Sequence, residues 1–359
     1  MSVPALISDP GQVTADWLTA VLVHAGALAH GAVTGFESAA IGTGSVGCTL
    51  RYRLRYRPGS APGPAAVVVV KFAAAEAASR AAGVATRSYE NEVGFYRDLA
   101  ATVGIRRPRC YHAAVTAGTA EVVVVLEDLA PAAQGDQLTG CDELDAALAM
   151  TEAARLHGPR WGDPALADVA WLAGSESSIS VADFYRAGWG GFVDRYRAAL
   201  APEAVAGGEA LGLGLDRWTA HRPAAVTITH GDFRVDNMMF AGSGPGRQLT
   251  VVDWQTVGLG GGTADVAYFL GGSLPPELRR ATEADLVGRY RDALAGYGIS
   301  YSPDACWADY RRHSWGGLVM AVIAGMLVSR TERSDAMFVT MANRHAIQAR
   351  DLGAGEFLS

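Results

Sequence analysis

The stretch Thr227–Asp253, TITHGDFRVDNMMFAGSGPGRQLTVVD, decides how the rest of the chain is read. Two short apolar runs, Val226–Thr229 and Leu249–Val252, read as strands. The first opens into His230-Gly231-Asp232 and, five residues beyond Asp232, Asn237. The second ends on Asp253, followed by Trp254-Gln255. A turn rich in Gly, Ser and Pro, Ala241–Arg247, joins it to Met238-Met239-Phe240. The expectation is that neighbouring strand ends deliver two carboxylates and a carboxamide. That set suits a magnesium-dependent phosphoryl transfer, which asks for positioning and charge neutralisation rather than covalent help. One carboxylate takes or orients a substrate proton. The other, with the amide oxygen, offers hard ligands for Mg²⁺.

The composition leaves room for this reading. With 359 residues, half of them hydrophobic, the chain can build two lobes around sizeable cores. A net charge of −7 and a pI near 5.6 argue against a nucleic-acid binder held by phosphate contacts. The balance fits a small, even cationic, substrate. The four cysteines, Cys48, Cys110, Cys141 and Cys306, are far apart and lack metal-ligand spacing. They read as reduced thiols of a cytoplasmic protein. No basic segment followed by an apolar one opens the chain, so no signal peptide is expected. Apolar patches such as Leu318–Val328 are too short to span a bilayer, so no membrane partner is expected.

In the first third, Val13–Leu28 carries Trp17, Leu18, Val21 and Leu22 at helical spacing, and Ala32–Ile41 reads as a strand. Gly42-Thr43-Gly44-Ser45-Val46-Gly47 then matches G-x-G-x-x-G. A dinucleotide fingerprint would have to open a helix. Here Cys48–Arg57 follows, with Leu50, Tyr52, Leu54 and Tyr56 alternating against arginines, which is a strand. A glycine loop between two strands can lie over phosphates, because missing side chains let backbone N–H groups approach. An ordinary hairpin turn is the plainer alternative. Ala66–Val70 reads as an apolar strand ending on Lys71, whose ammonium needs a partner if buried. It is a phosphate-binding lysine or a snorkelling edge residue. The segment Thr86–Val103 reads as a helix with Tyr89, Val93, Tyr96 and Leu99 on one stripe. Glu92 lies beside that stripe and can pair with Lys71, whereas Glu90 lies on another face.

Two further strands, Pro108–Gly118 and Ala120–Leu126, precede Glu127-Asp128-Leu129, and Val122–Leu126 is apolar throughout, hence buried on both faces. From there the patterns turn helical, which places a boundary between residues 1–129 and 130–359. The expected helices are Leu144–His157, Val181–Leu200, Leu215–His221, Thr263–Leu270, Pro276–Gly298 and several within Asp304–Gly353. Ala201–Gly214 reads as a Gly/Ala-rich linker and Gly258–Gly262 as a loop. His157 reads as a satisfied helix-end histidine. Asp265 is a helix N-terminal residue or a buried acceptor for the His230-Gly231-Asp232 loop. The fold class is therefore α+β, a small β-rich N-lobe with one key helix and a larger, mainly helical C-lobe.

Taken together, HGDFRVDNMMF, VVDWQ, YENEVGFY, VVVVLEDL and RLHGPRW resemble the aminoglycoside phosphotransferase family, and in detail its ecdysteroid-kinase-like, CHK-type branch. The resemblance runs from Gly42 to Leu270. It implies a protein-kinase-like two-lobe fold and an ATP- and Mg²⁺-dependent small-molecule kinase, with GTP as an alternative donor. It implies Asp232 as the catalytic base, and Asn237 and Asp253 as the Mg²⁺ ligands. Lys71 would contact the α- and β-phosphates and pair with Glu92. Gly42, Thr43, Gly44, Ser45, Val46 and Gly47 would cover the phosphates, and Glu127 to Leu129 would meet the adenine through backbone groups. His230 would brace the loop. The position after Asp253 departs from the protein-kinase pattern: it is Trp-Gln, not Phe-Gly.

Two rival functions use the same residues. A metal-dependent hydrolase would employ Asp232, Asp236 and Asp253 as ligands, but leaves the glycine loop and Lys71 without a role. A catalytically idle nucleotide-binding protein would ordinarily lack the Lys, Asp or Asn that this chain retains. The acceptor is expected to be a small hydroxylated molecule bound in the helical lobe near Gln134–Asp145 and Ser175–Trp189. Asp136, Asp142, Glu143, Glu176 and Asp183 are candidates to attract an amine. The protein would act as a monomer or homodimer. The kinase reading requires Asp232, Asn237 and Asp253 to converge opposite the Lys71 ammonium.

Overall fold

In the computed structural model, which describes residues 3–42, 47–60, 65–173 and 180–359, the chain forms two compact units. The first contains Met1–Ala101, Arg107–Pro131 and Asp253–Gln255; the second contains Thr102–Arg106, Ala132–Val252 and Thr256–Ser359. Thr43, Gly44, Ser45 and Val46 of the expected glycine loop lie outside the described residues, as do Ser175 and Glu176.

In the first unit the period-two patterns become one antiparallel sheet. Its strands are β1 (Val33–Ala40), β2 (Gly47–Tyr56), β3 (Val67–Ala73), β4 (Cys110–Val115) and β5 (Val122–Glu127), in the order β1-β2-β3-β5-β4. Tyr52 and Leu54 of β2 are buried while Arg53 and Arg55 are exposed, so the alternation is the division between core and water. β5 lies between β3 and β4, and its unbroken apolar run is buried from Val122 to Leu126. Helix α1 (Ala15–His24) starts where the Thr14 side chain accepts the Trp17 N–H, and it buries Trp17, Leu18, Val21 and Leu22 in the same core. Helices α2 (Ala77–Ala85) and α3 (Ser88–Gly94) follow β3. The expected single helix over Thr86–Val103 is thus subdivided: α3 passes into a π turn, Phe95–Leu99, and then a 3₁₀ turn, Ala100–Thr102. Such π turns are rare and concentrate at functional sites. One further expectation is corrected. Lys71 does not end its strand, because pairing of β3 with β2 continues through Phe72 and Ala73 to Cys48 and Gly47.

The second unit contains β6 (Ala133–Gln134), α4 (Glu143–His157), α5 (Ala170–Ala173), α6 (Val181–Tyr196), α7 (Pro202–Ala220), β7 (Thr227–Thr229), β8 (Met238–Ala241), β9 (Gln248–Val251), β10 (Gly258–Gly260), α8 (Thr263–Ser273), α9 (Pro276–Ala295), α10 (Pro303–His313), α11 (Gly316–Leu327) and α12 (Glu332–Asp351). Helices α6, α7, α11 and α12 share a core that includes Tyr185, Phe192, Leu211, Leu215, Leu318, Val322 and Met341. The segment expected as a linker, Ala201–Gly214, is in fact most of α7. Pro202 starts the helix, and its glycines serve packing: a Cβ at Gly208 would stand 1.9 Å from the Trp189 ring.

The two strands of the deciding stretch are not sheet neighbours, which corrects the first expectation above. β7 pairs with β10, the segment expected as a loop, with Thr229 opposite Gly258. β9 pairs with β8, which pairs in turn with β6. The local hairpin β8–β9 was legible from its turn. The partner of β7 starts 31 residues further on, where two glycines hide the strand pattern.

Candidate active site

Within the first unit, Lys71 is the centre of a charge cluster. Its Nζ lies 2.6 Å from Glu92 Oε1 and 3.4 Å from Asp253 Oδ1. The lysine arrives on the central strand β3 and the glutamate on α3. Burial alone would drive the ammonium towards neutrality, but Asp253 and Glu92 outweigh it and hold Lys71 above the ordinary lysine range. Glu92 is nearly inaccessible, whereas Asp253 keeps 42% of its side chain exposed. The two carboxylates therefore differ: one is spent on the lysine and the other remains open. Asp253 has a φ of 67°, the left-handed region that ordinary residues avoid. The two residues after it are anchored in the same unit. Trp254 stacks on Phe95 of the π turn at 3.6 Å and 6°, Gln255 Nε2 donates to Glu92 Oε2, and Asn91 donates to the Gln255 carbonyl. Glu90 takes no part. It accepts from Arg87 and from the Gly118 N–H.

Within the second unit, the loop after β7 builds a different set. Gly231 has a φ of 80°, and a Cβ there would stand 2.4 Å from the Thr256 carbonyl oxygen, so the turn admits glycine alone without strain. Asp265, in the first turn of α8, accepts the N–H groups of His230 and Gly231 at 2.7 and 3.0 Å and His157 Nε2 at 3.1 Å. Both readings of Asp265 thus describe one residue, and the fully buried His157 is satisfied by Asp265 and the Tyr290 hydroxyl. His230 Nδ1 accepts the Asp232 N–H, which leaves Nε2 to donate to the Val252 carbonyl at 3.1 Å. Asp232 itself is ringed by donors. Tyr268 Oη meets Oδ1 at 2.8 Å, Asn237 Nδ2 meets Oδ2 at 2.8 Å, and Arg234 Nε stands 3.0 Å from each oxygen. Burial alone would lift the Asp232 carboxyl, but the Arg234 charge and the Tyr268 hydrogen bond outweigh it and hold it below its usual range.

The donor set fits a hard cation. Asn237 spends its amide N–H groups on the Asp232 carbonyl and carboxylate, and its amide oxygen takes no hydrogen bond among the described residues. Asp253 Oδ2 is likewise unspent among them. An oxygen of either kind suits Mg²⁺, which rarely has an all-protein cage and takes phosphate and water oxygens as well. The Val252 N–H donates to the Asn237 carbonyl at 3.0 Å. Asp236 is committed elsewhere, to Arg234 Nη1, the Gln137 N–H and Arg333. No group of three His, Cys, Asp or Glu among the described residues is arranged to hold a metal.

The remaining candidates are placed as follows. Glu127 ends β5 and its carboxylate accepts the Arg109 N–H, Asp128 pairs with Arg51 at 2.8 Å, and Leu129 is half-buried. Gly42 has a φ of 77° and Gly47 starts β2. Of the acids nominated to attract an amine, three have local duties: Asp136 pairs with Arg333, Asp142 caps α4, and Asp183 bonds to Ser180. The sequence reading passed over Arg234 and Tyr268, both in contact with Asp232. Arg234 is two residues from Asp232, a spacing that could have flagged it. Tyr268 is 36 residues away on a helix face, and no local pattern marks it.

Residues 78–311 match the phosphotransferase enzyme family, APH. The chain belongs to this family. The phosphotransferase is thus a small-molecule kinase with a hydroxyl group as acceptor. Its fold is protein-kinase-like, as in an ethanolamine kinase from Plasmodium vivax, which is 8% identical with a TM-score of 0.51 over 86% of this chain and 81% of that one. It is similar also to a choline kinase from Cryptosporidium parvum, at 9% identity and a TM-score of 0.49 over 88% of this chain and 89% of that one. An aminoglycoside 2'-phosphotransferase-IIIa in its GDP complex is 12% identical, with a TM-score of 0.49 over 90% and 94%. No curated protein sequence matches the phosphotransferase. No helix among its described residues is long and apolar enough to cross a membrane.

Proposed function

We propose that this phosphotransferase uses ATP and Mg²⁺ to add the γ-phosphate to a hydroxyl of a small molecule, and that it belongs to the ecdysteroid-kinase-like, CHK-type branch. Residues 1–129 would form the nucleotide lobe, and residues 130–359 would carry the catalytic loop and the acceptor site. We place the enzyme in the cytoplasm. The observation that carries the reading is the Lys71 cluster: a protonated ammonium held by a buried glutamate, beside a carboxylate left open. An ammonium of this kind suits the α- and β-phosphates. Residues 42–47 would cover the phosphates, and Glu127 to Leu129 would meet the adenine.

Asn237 and Asp253 would hold Mg²⁺, which when bound neutralises charge on the phosphates. Asp232 would orient the acceptor hydroxyl for in-line attack. The acceptor O–P bond forms as the bond from the γ-phosphorus to its bridging oxygen breaks, and the nucleoside diphosphate leaves with the electron pair. The hydroxyl proton passes to Asp232, a weak base that suits a transition state in which the proton leaves late. The hydrolase alternative is not favoured, because Asp236 is already engaged by two arginines.

The test is a mass-spectrometric screen for a phosphate gain across alcohols, including amino alcohols, steroids and aminoglycosides, with ATP and GTP as separate donors. A hydroxyl acceptor that gains phosphate only with nucleotide and Mg²⁺ supports the reading. Release of phosphate from esters without nucleotide would overturn it.

A further inference from the structure

The Asp232 carboxylate offers about four acceptor directions, and three side-chain donors already crowd its two oxygens. Arg234 Nε is equidistant from the two oxygens at 3.0 Å, which puts it on the face they share. Tyr268 Oη donates to Oδ1 and Asn237 Nδ2 to Oδ2, each at 2.8 Å. A hydroxyl that is to bond to Asp232 competes with these donors. The shared Arg234 N–H is the weakest held, because it is split between two acceptors. It can yield one oxygen and keep the other without leaving its place, because the guanidinium is anchored on its far side. Arg234 Nη1 donates to Asp236 Oδ2 at 2.7 Å and approaches Met337 Sδ at 3.2 Å. Asp236 is held in turn by the Gln137 N–H at 2.7 Å and by Arg333 at 3.2 Å. Tyr268 is just as constrained: it is buried on α8 and its ring stacks on the fully buried His345 at 5.5 Å.

We propose that Arg234 and Tyr268 are positioning residues for Asp232, in which Tyr268 fixes the carboxylate plane and Arg234 holds the face that the acceptor hydroxyl enters. The inference rests on the reading of Asp232 as the residue that orients the acceptor. It assigns Arg234 neither to the nucleotide nor to the metal. Its loss should therefore leave nucleotide affinity alone and lower the rate of the chemical step, because a carboxylate free to rotate is misplaced for most of its time.

The probe is MgATP with water as acceptor, followed by phosphate release from the full-length protein. In Arg234→Gln, kcat should fall by about 10- to 100-fold while KM for MgATP stays within about twofold. Arg234→Lys retains a donor on the same loop and should recover part of the loss. Tyr268→Phe should lower kcat by roughly 3- to 10-fold, again without a change in KM. Asp232→Asn separates this proposal from the function beneath it. If Asp232→Asn abolishes hydrolysis while Arg234→Gln keeps the wild-type kcat, the positioning role is wrong and the kinase reading stands. If Asp232→Asn hydrolyses MgATP normally, both fail. Crystal structures of Arg234→Gln and Tyr268→Phe decide the matter without turnover: the Asp232 carboxylate should leave its position or split between two. An unmoved, fully ordered carboxylate in both variants would overturn the proposal.

Discussion

The roles proposed for Asp232 and Asp253 ask for carboxylates that are held without being neutralised, and the two are held in different ways. Asp232 is fixed by donors on both oxygens, while Asp253 is fixed by its backbone and left open at one oxygen. Asp232→Asn should lower phosphoryl transfer by about 10²- to 10⁴-fold, because the acceptor loses its base, yet leave nucleotide binding intact. Turnover and calorimetric titration on the same preparation check both halves of that statement. Asp253→Asn should have the opposite signature, a loss of the Mg²⁺ dependence of nucleotide binding, since a neutral amide is a poorer ligand than a carboxylate. Nucleotide binding that responds to Mg²⁺ as in wild type would remove Asp253 from the metal site. Among the site residues, the polar ones with a motif around them were legible. Asp232 and Asn237 stand five apart on one loop, and Asp253 follows the next strand. Helical spacing favoured Glu92 over Glu90 without deciding between them, and the structure pairs Glu92 with Lys71. Arg234 and Tyr268 were not legible, since an arginine on a loop and a tyrosine on a helix have commoner uses.

At the scale of elements, glycine has opposite meanings in two places. At Gly231 it provides a backbone angle, and at Gly208 it provides room. Gly231→Ala should destabilise the fold by about 1–3 kcal/mol through strain and collision with the Thr256 carbonyl. Because His230 and Asp232 flank it, activity should fall further than stability. Gly208→Ala should cost about 1–3 kcal/mol by forcing Trp189 out of its stack with Tyr185, with nucleotide affinity unchanged. Urea unfolding of both variants gives the comparison. The same ambiguity explains why α7 was missed. Its run of Ala and Gly reads as flexible in isolation, and only Trp189 and Leu358 packed against Gly208 and Gly214 make it a helix face. β10 was missed for the converse reason: Gly258 and Gly260 have no side chains to show a period, and the strand exists because β7 supplies its hydrogen bonds.

For the molecule as a whole, acid should be the weak side. Burial pushes His313 and His345 down from 6.5 to about 4, and lowers His112 and His221 as well. At His313 and His345 the unfolded chain takes up a proton below about pH 6.5 and the folded chain does not until near pH 4, so stability falls as pH drops through that window. Each of these two histidines contributes a slope of about 1.4 kcal/mol per pH unit there. Glu152, lifted by burial, acts in the opposite sense, so the slope is less than the histidine sum. Chemical unfolding between pH 7 and 4.5 should show the decline, and His345→Gln should flatten it by about one proton. A stability that is level across this range would mean that these rings take up protons as readily in the folded state as in the unfolded chain.

The chain by itself determined its α+β division, the strand that bears Lys71, the helix that bears Glu92, and the loop that spaces Asp232 from Asn237. These follow from periodicity and from polar residues at fixed offsets, which act over a few residues and need no distant partner. Only the tertiary structure decided that Asp265 and His157 hold the loop, that Arg234 and Tyr268 surround Asp232, and that a glycine-rich segment is a helix. Those outcomes depend on side chains tens of residues apart that satisfy one another once water is excluded, and a buried polar group finds its partner by position in space, not along the chain.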